Sequence, residues 1–204
     1  MGCELDAQYV SRHASEITSG LADRGVCVVD DFVGRADVAS LAAALLERRD
    51  SLRPARVGRG AGLTEAPYIR GDRIAWLDAP HGPAEANLLA QIDTLRIELN
   101  RELMLGLTEF EGHYAHYPPG ARYERHRDRH ATSDARVISL VLYLNTDWPA
   151  DAGGELRVHL PDDGALDIVP VGGRLVAFLA DLFEHEVLPA KRDRYSFTGW
   201  LRRG

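Results

Sequence analysis

Apolar residues recur at roughly helical spacing over residues 6–24 (Val10, Ile17, Leu21), and Gly25 stands where a glycine ends such a helix. Val26-Cys27-Val28-Val29, closed by Asp30-Asp31, reads as a short buried strand, and the Ala/Leu-rich residues 36–49 as a second helix. Residues 48–62 differ: five arginines and four glycine or proline residues predict a mobile loop. Residues 68–77 read as extended. Residues 83–105 carry the longest helical pattern, with Leu88, Leu89, Ile92, Leu95, Ile97 and Leu99 as a wide apolar stripe.

After Gly106 the period shortens to that of strands. Candidates are 111–117, 122–127, 137–144, 155–160, 165–170, 174–179, 184–188 and 194–201, separated by Gly-, Pro- and Asp-rich turns. Helices first and about eight strands afterwards predict an α+β fold, a double-stranded β-helix (jelly-roll) core supported by N-terminal helices. One domain over 1–204 is expected, with helical support at 1–105 and the jelly roll at 106–204. No internal repeat or domain linker interrupts it.

Composition narrows the function classes. The chain has 204 residues, 45% hydrophobic and 27% charged, as ordinary globular proteins do. Its net charge of -7 argues against a broad nucleic-acid or anionic-membrane surface. Cys3 and Cys27 form no metal or disulfide framework, which suits a reducing cytoplasm. The N-terminus lacks the basic and apolar regions of a signal peptide, and no apolar run reaches membrane-spanning length.

The chemistry is carried by Glu124-Arg125-His126-Arg127-Asp128, by His185, and by Arg194 nine residues later. On an extended strand, positions i and i+2 share a face, so His126 and Asp128 converge. With His185 from a distant strand they offer two nitrogens and one oxygen. That set covers one face of an octahedral metal and leaves the rest open, as in non-haem Fe(II) oxygenases. Arg194 adds a permanent planar cation for the far carboxylate of a 2-oxo diacid. Zinc is the chief rival metal, but a structural zinc site needs four closed ligands, usually rich in cysteine.

Among the other histidines, His130 is a rival ligand only if the strand continues, and otherwise a surface residue. His113 shares the parity of Tyr117, which leaves pocket wall and satisfied core histidine as open alternatives. His13, His81, His116 and His159 carry no pattern and read as structural. Gly58-Arg-Gly60-Ala-Gly62 lacks the preceding strand and spacing of a phosphate loop.

These residues, with several motifs, resemble the 2-oxoglutarate- and Fe(II)-dependent prolyl hydroxylases, in the branch of the animal oxygen-sensing enzymes and their bacterial relatives. The motifs are Gly25-Val-Cys-Val-Val-Asp-Asp-Phe32, Ile69-Arg70-Gly71-Asp72-Arg73-Ile74-Ala75-Trp76, Tyr143-Leu-Asn-Thr-Asp-Trp148, Gly153-Gly154, His185-Glu-Val187 and Arg194-Tyr-Ser-Phe-Thr198-Gly-Trp200. The resemblance implies Fe(II) on His126, Asp128 and His185. It implies 2-oxoglutarate on Arg194 and Tyr143, with Tyr117 and Thr198 beside it. Arg70, Asp72, Arg136 and Trp200 match positions that shape the substrate entrance. Dioxygen is the co-oxidant and ascorbate a candidate reductant.

The implied reaction hydroxylates a prolyl residue of a protein and releases succinate and carbon dioxide. Bacterial relatives in this branch act on elongation factor Tu, which makes that protein the first candidate partner. Arg127, where the family commonly has a small or apolar residue, departs from the pattern and bears on substrate choice. Two other readings stay open: an oxygenase of a free amino acid or small metabolite, and a non-catalytic iron and oxoglutarate sensor. Nucleic-acid demethylation fits less well, because Trp200 stands where the repair dioxygenases carry a second arginine.

Overall fold

A computed structural model describes residues 2–58, 64–128 and 135–204, residues 2–12 as backbone only. The chain begins with α1 (Gly2–Arg24), β1 (Val26–Val29) and α2 (Arg35–Glu47), followed by a short 3-10 turn, β2 (Arg53–Pro54) and β3 (Arg73–Trp76). After α3 (Pro83–Leu103) come β4 (Glu109–Tyr117), β5 (Tyr123–His126), β6 (Arg136–Tyr143), β7 (Leu156–His159), β8 (Ala165–Ile168), β9 (Leu175–Leu179), β10 (His185–Val187) and β11 (Arg194–Arg202). A seven-stranded sheet runs β1-β9-β6-β11-β4-β3-β2, and a four-stranded sheet runs β5-β10-β7-β8. This is the expected double-stranded β-helix, backed by helices. No helix among the described residues is long and apolar enough to cross a membrane.

Strand alternation builds two apolar layers, because successive side chains leave opposite faces of a strand. Tyr114, Ile138, Leu140, Leu142 and Phe197 point to the helices, meeting Ile17 and Leu21 of α1, Leu41 and Leu45 of α2, and Leu88, Ile92, Leu95 and Leu99 of α3. Ala115, Tyr117, Val141 and Tyr143 point the other way, toward Leu156, Val158 and Val187 of the small sheet. Gly25, at φ 72°, ends α1 in a left-handed conformation that a side chain would strain.

The α3 end is held by charge. Glu85, buried, accepts from the Gly82 backbone N–H at 2.8 Å and the Tyr114 hydroxyl at 3.0 Å, and pairs with Arg48 at 2.8 Å. One carboxylate thus caps α3 and ties it to α2 and β4.

Several expectations need correction. The expected loop 48–62 holds a 3-10 turn and the β2 strand, which pairs with β3 (Arg53↔Ile74); Gly60 and Gly62 lie outside the described residues. The extended stretch 68–77 shrinks to Arg73–Trp76, preceded by turns. Ile97 leaves the apolar stripe of α3 and is 52% exposed, five residues and so about 140° round the helix from Ile92. Beside the eight later strands, the expected β1 and the shortened β3 join the large sheet, and β2, which no apolar pattern signals, extends it.

Candidate metal and cosubstrate site

Between the sheets opens a cavity of about 520 Å³. Its floor is laid by register. Arg194 lies opposite Tyr117, Ser196 opposite Ala115, Thr198 opposite His113, and on the far side Ile74 faces Ala115 and Trp76 faces His113. Every second residue of β3, β4 and β11 therefore lines one wall.

His126 and His185 of the four-stranded sheet, with Asp128 just past β5, face the cavity with one donor atom of each within 4.8 Å of the others, the one such cluster among the described residues. β10 lies beside β5 with His185 directly opposite His126. Asp128, however, lies beyond the end of β5 at His126, so shared strand parity does not place it. It is set instead by Ser139 of β6, whose hydroxyl donates to its Oδ2 at 2.7 Å. Asp128 Oδ1 is 3.7 Å from His126 Nε2, and its Oδ2 is 3.6 Å from His185 Nε2. At metal bonds of about 2.1 Å, neighbouring octahedral donors sit roughly 3 Å apart, so a small contraction would close the set.

Both Nδ1 atoms face main-chain carbonyls, His126 that of Glu124 at 2.8 Å and His185 that of Phe183 at 3.4 Å. A proton on Nδ1 leaves Nε2 as the free lone pair, the tautomer a metal ligand needs. Tyr123 stacks on His126 at 3.6 Å and Phe178 meets His185 edge-on at 4.7 Å. Burial lowers the His185 pKa to about 4, against the opposing pull of Asp128. Burial alone would raise the Asp128 carboxyl, but His185, His126 and Ser139 outweigh it and hold it well below the carboxylate range. The neutral His185 imidazole and the ionised Asp128 carboxylate suit a divalent cation with oxygen and nitrogen preference. No cysteine among the described residues joins the cluster to favour zinc.

Arg194 is 1% exposed, and no carboxylate among the described residues lies within ion-pair distance of it. Its Nε donates to the Gly154 carbonyl at 2.8 Å, and its guanidinium lies 5.1 Å from the ring centres of both Tyr117 and Tyr143. Gly154, at φ 77°, brings that carbonyl close; a Cβ there would sit 2.9 Å from the Ala190 Cβ. Asn145 and Trp148 of the Tyr143–Trp148 motif serve this framework. Asn145 accepts from the Tyr195 backbone N–H at 2.7 Å, and Trp148 donates to the Gly153 carbonyl at 3.0 Å. The Tyr143 hydroxyl is buried beside the Arg194 guanidinium with no partner at full hydrogen-bond geometry among the described residues, and burial pushes its pKa up to about 12 in spite of that cation. Tyr143 stands behind the cavity wall, whereas Tyr117, Ser196 and Thr198 line it.

On the far side of Tyr117 from Arg194, Arg70 forks onto Asp72 with bonds of 2.8 and 3.1 Å and lies over the Tyr123 ring at 4.7 Å. Asp72 is buried, so this pair is part of the cavity and not a solvated surface contact. Arg136 pairs with Glu111 at 2.8 Å and lies 3.5 Å over Trp200. Arg127 is at the exposed rim, 3.9 Å from Glu184. All the sequence-selected site residues thus converge on one cavity, Tyr143 from behind it. His116 and His159 are structural, bonded to Asp193 at 2.7 Å and Glu186 at 3.0 Å. His130 lies outside the described residues.

Ser139, Ser196 and Tyr123 were not selected from the sequence. For Ser139 a signal existed: a lone serine in the apolar run Val137–Tyr143, on the parity of Val141 and Tyr143.

The profile of the 2OG-Fe(II) oxygenase superfamily matches residues 112–202. A crystal structure of a Pseudomonas putida prolyl-4-hydroxylase is similar at a TM-score of 0.86 and 43% identity, over 94% of this chain and 99% of that one. A prolyl hydroxylase from Trichoplax adhaerens, in complex with a peptide of the hypoxia inducible factor oxygen degradation domain, gives a TM-score of 0.86 at 28% identity, over 97% and 92%. Human Egl nine homolog 1 is 32% identical over 190 residues, 86% of this chain but 43% of that protein. The chain spans about half the length of the Egl nine homolog 1 relatives it matches. The chain belongs to the 2-oxoglutarate–Fe(II) oxygenase superfamily, within its prolyl-hydroxylase-like part.

Proposed function

We propose that the protein is an Fe(II)- and 2-oxoglutarate-dependent prolyl 4-hydroxylase acting on a protein, with elongation factor Tu as its first candidate target. The observation that carries the cosubstrate reading is Arg194, a buried guanidinium without a carboxylate partner among the described residues, in the cavity that also holds the His126, Asp128 and His185 donors. A buried charge without a counter-ion is costly unless a ligand supplies one.

In this reading His126 and His185 hold the ion through Nε2 and Asp128 through a carboxylate oxygen. Arg194 receives the distal carboxylate of oxoglutarate, the Tyr143 hydroxyl donates to it and Tyr117 borders it, while Thr198 lies beside the cosubstrate farther along β11. With oxoglutarate and dioxygen, Fe(II) supplies the oxidation of a prolyl C–H to C–OH while oxoglutarate leaves as succinate and carbon dioxide. The chain's own part is to orient the cosubstrate and hold the target, with no general base required. Arg70, Asp72, Arg136 and Trp200 form the substrate entrance.

The similarity to the Pseudomonas putida prolyl-4-hydroxylase supports the reaction class. The peptide complex of the Trichoplax adhaerens enzyme supports a peptide entering a cavity of this kind. A translation factor as substrate puts the activity in the cytoplasm. The test is anaerobic reconstitution with Fe(II) and oxoglutarate, read from the visible charge-transfer band, then oxygen with purified elongation factor Tu. A band followed by a mass gain of one oxygen on a proline supports the whole reading. A band without it leaves the oxygenase and removes the target, and a folded protein with no band removes the metal assignment.

A further inference from the structure

We propose that His113 recognises the target chain, its imidazole N–H donating to a main-chain carbonyl beside the proline that enters the cavity. This rests on the prolyl-hydroxylase reading. His113 borders the cavity, is 2% exposed, and makes no hydrogen bond among the described residues, its Nδ1 being buried with no partner. Buried polar groups are nearly always paired, so an orphan at a ligand cavity marks a place where a ligand completes the pairing.

Its surroundings say which ligand. His113 lies between Trp76 of β3 and Thr198 of β11. Its ring meets Trp76 edge-on at 4.9 Å and lies 5.5 Å from Trp200, whose indole N–H is likewise buried and unpartnered among the described residues. Thr198 is four residues along β11 from Arg194, roughly 13 Å at the rise of a strand, so His113 belongs to the end away from the distal-carboxylate site. Burial, with Arg70 and Arg136 nearby and only Asp128 opposing, lowers its pKa to about 3. The ring is therefore neutral and offers one N–H and one lone pair, which suits a peptide group better than an anion. A prolyl residue has no N–H of its own, so the main-chain groups it and its neighbour present are chiefly carbonyls.

The test compares His113→Phe, which keeps the aromatic volume, with His113→Asn, which restores an N–H donor. Purified elongation factor Tu is the probe. Steady-state KM and kcat are read beside oxoglutarate affinity from the charge-transfer band and the thermal midpoint. The Phe variant should raise KM for the target about five- to tenfold, about 1–1.4 kcal/mol, with oxoglutarate affinity unchanged and no loss of stability. The Asn variant should recover part of the loss. An unchanged KM in the Phe variant, equal impairment of both variants, or a fall in oxoglutarate affinity would overturn the assignment. A wild-type protein that binds oxoglutarate but neither binds nor hydroxylates the target removes the proposed partner, and the substrate reading falls with it. Failure confined to the variants overturns His113 alone.

Discussion

Replacing Arg194 by methionine removes the charge while keeping most of the side-chain length. Arg194 has one protein hydrogen bond from Nε, to Gly154, and no carboxylate partner among the described residues, so the remaining donors are free for a ligand. A unit charge pair at 4 Å is worth about 4 kcal/mol at an effective dielectric of 20, and charge-assisted bonds about 1.5–3 kcal/mol by mutation. Taking about 2–4 kcal/mol, oxoglutarate affinity should fall roughly 30- to 1000-fold. The assay is anaerobic titration of the Fe(II) protein, followed by the charge-transfer band. Titration with 2-oxobutanoate, which lacks the distal carboxylate, is the control, and its affinity should be unchanged. Because the variant also deletes a buried charge without a counter-ion, its thermal midpoint should fall little. Oxoglutarate affinity within about threefold of wild type, or equal losses for both acids, would refute the reasoning.

The other predictions test the metal set and its support. His185→Ala should abolish Fe(II) or Mn(II) binding measured by calorimetry, since it removes one of three donors. Ser139→Ala frees Asp128 Oδ2 from its 2.7 Å bond and should weaken metal affinity about tenfold, with the fold intact by circular dichroism. Glu85→Ala strips the partner of Arg48, of the Tyr114 hydroxyl and of the Gly82 N–H, and should cost about 3 kcal/mol in urea unfolding. His113 and His185 have folded pKa values near 3 and 4, below their unfolded value of about 6.5. The unfolded chain therefore binds protons that the folded one refuses, and metal-free stability falls as pH drops from about 6.5 toward 4. His113→Phe should lose less stability than wild type between pH 7 and pH 5, and an equal loss would contradict the burial argument.

The strands of the second half were legible because each is a short period-2 run bounded by turn residues, and most ends fall within one or two residues of the pattern. β2 and β3 were harder, since Arg53–Pro54 has no apolar character and exists only because β3 offers it an edge. Ile97 misled for a similar reason, as apolar identity was counted without its angle about the helix. The metal donors were legible, but the reason given for Asp128 was not the operative one. A hydroxyl eleven residues downstream holds it, and no strand parity does. Contacts such as Ser139–Asp128 and Glu85–Tyr114 join elements far apart in sequence, so local pattern carries no trace of them.

The alternation that sorts the apolar layers also sorts the chemistry. Along β11, the positions facing the cavity run Arg194, Ser196, Thr198 and Trp200, from a buried cation through two hydroxyls to an indole. The neighbours on β4 keep step, with Tyr117 beside the cation and His113 toward the indole. A ligand with one anionic end is drawn to Arg194, while the Trp76, His113 and Trp200 end suits an uncharged chain with carbonyls to offer. Since period 2 ties each position to the next but one, a one-residue slip of β11 would turn all four away from the cavity together. The buried Phe197 and Leu201, on the helix-facing parity, oppose that slip because it would drive them into the cavity. The apolar packing on one face of β11 therefore fixes the order of functional groups on the other.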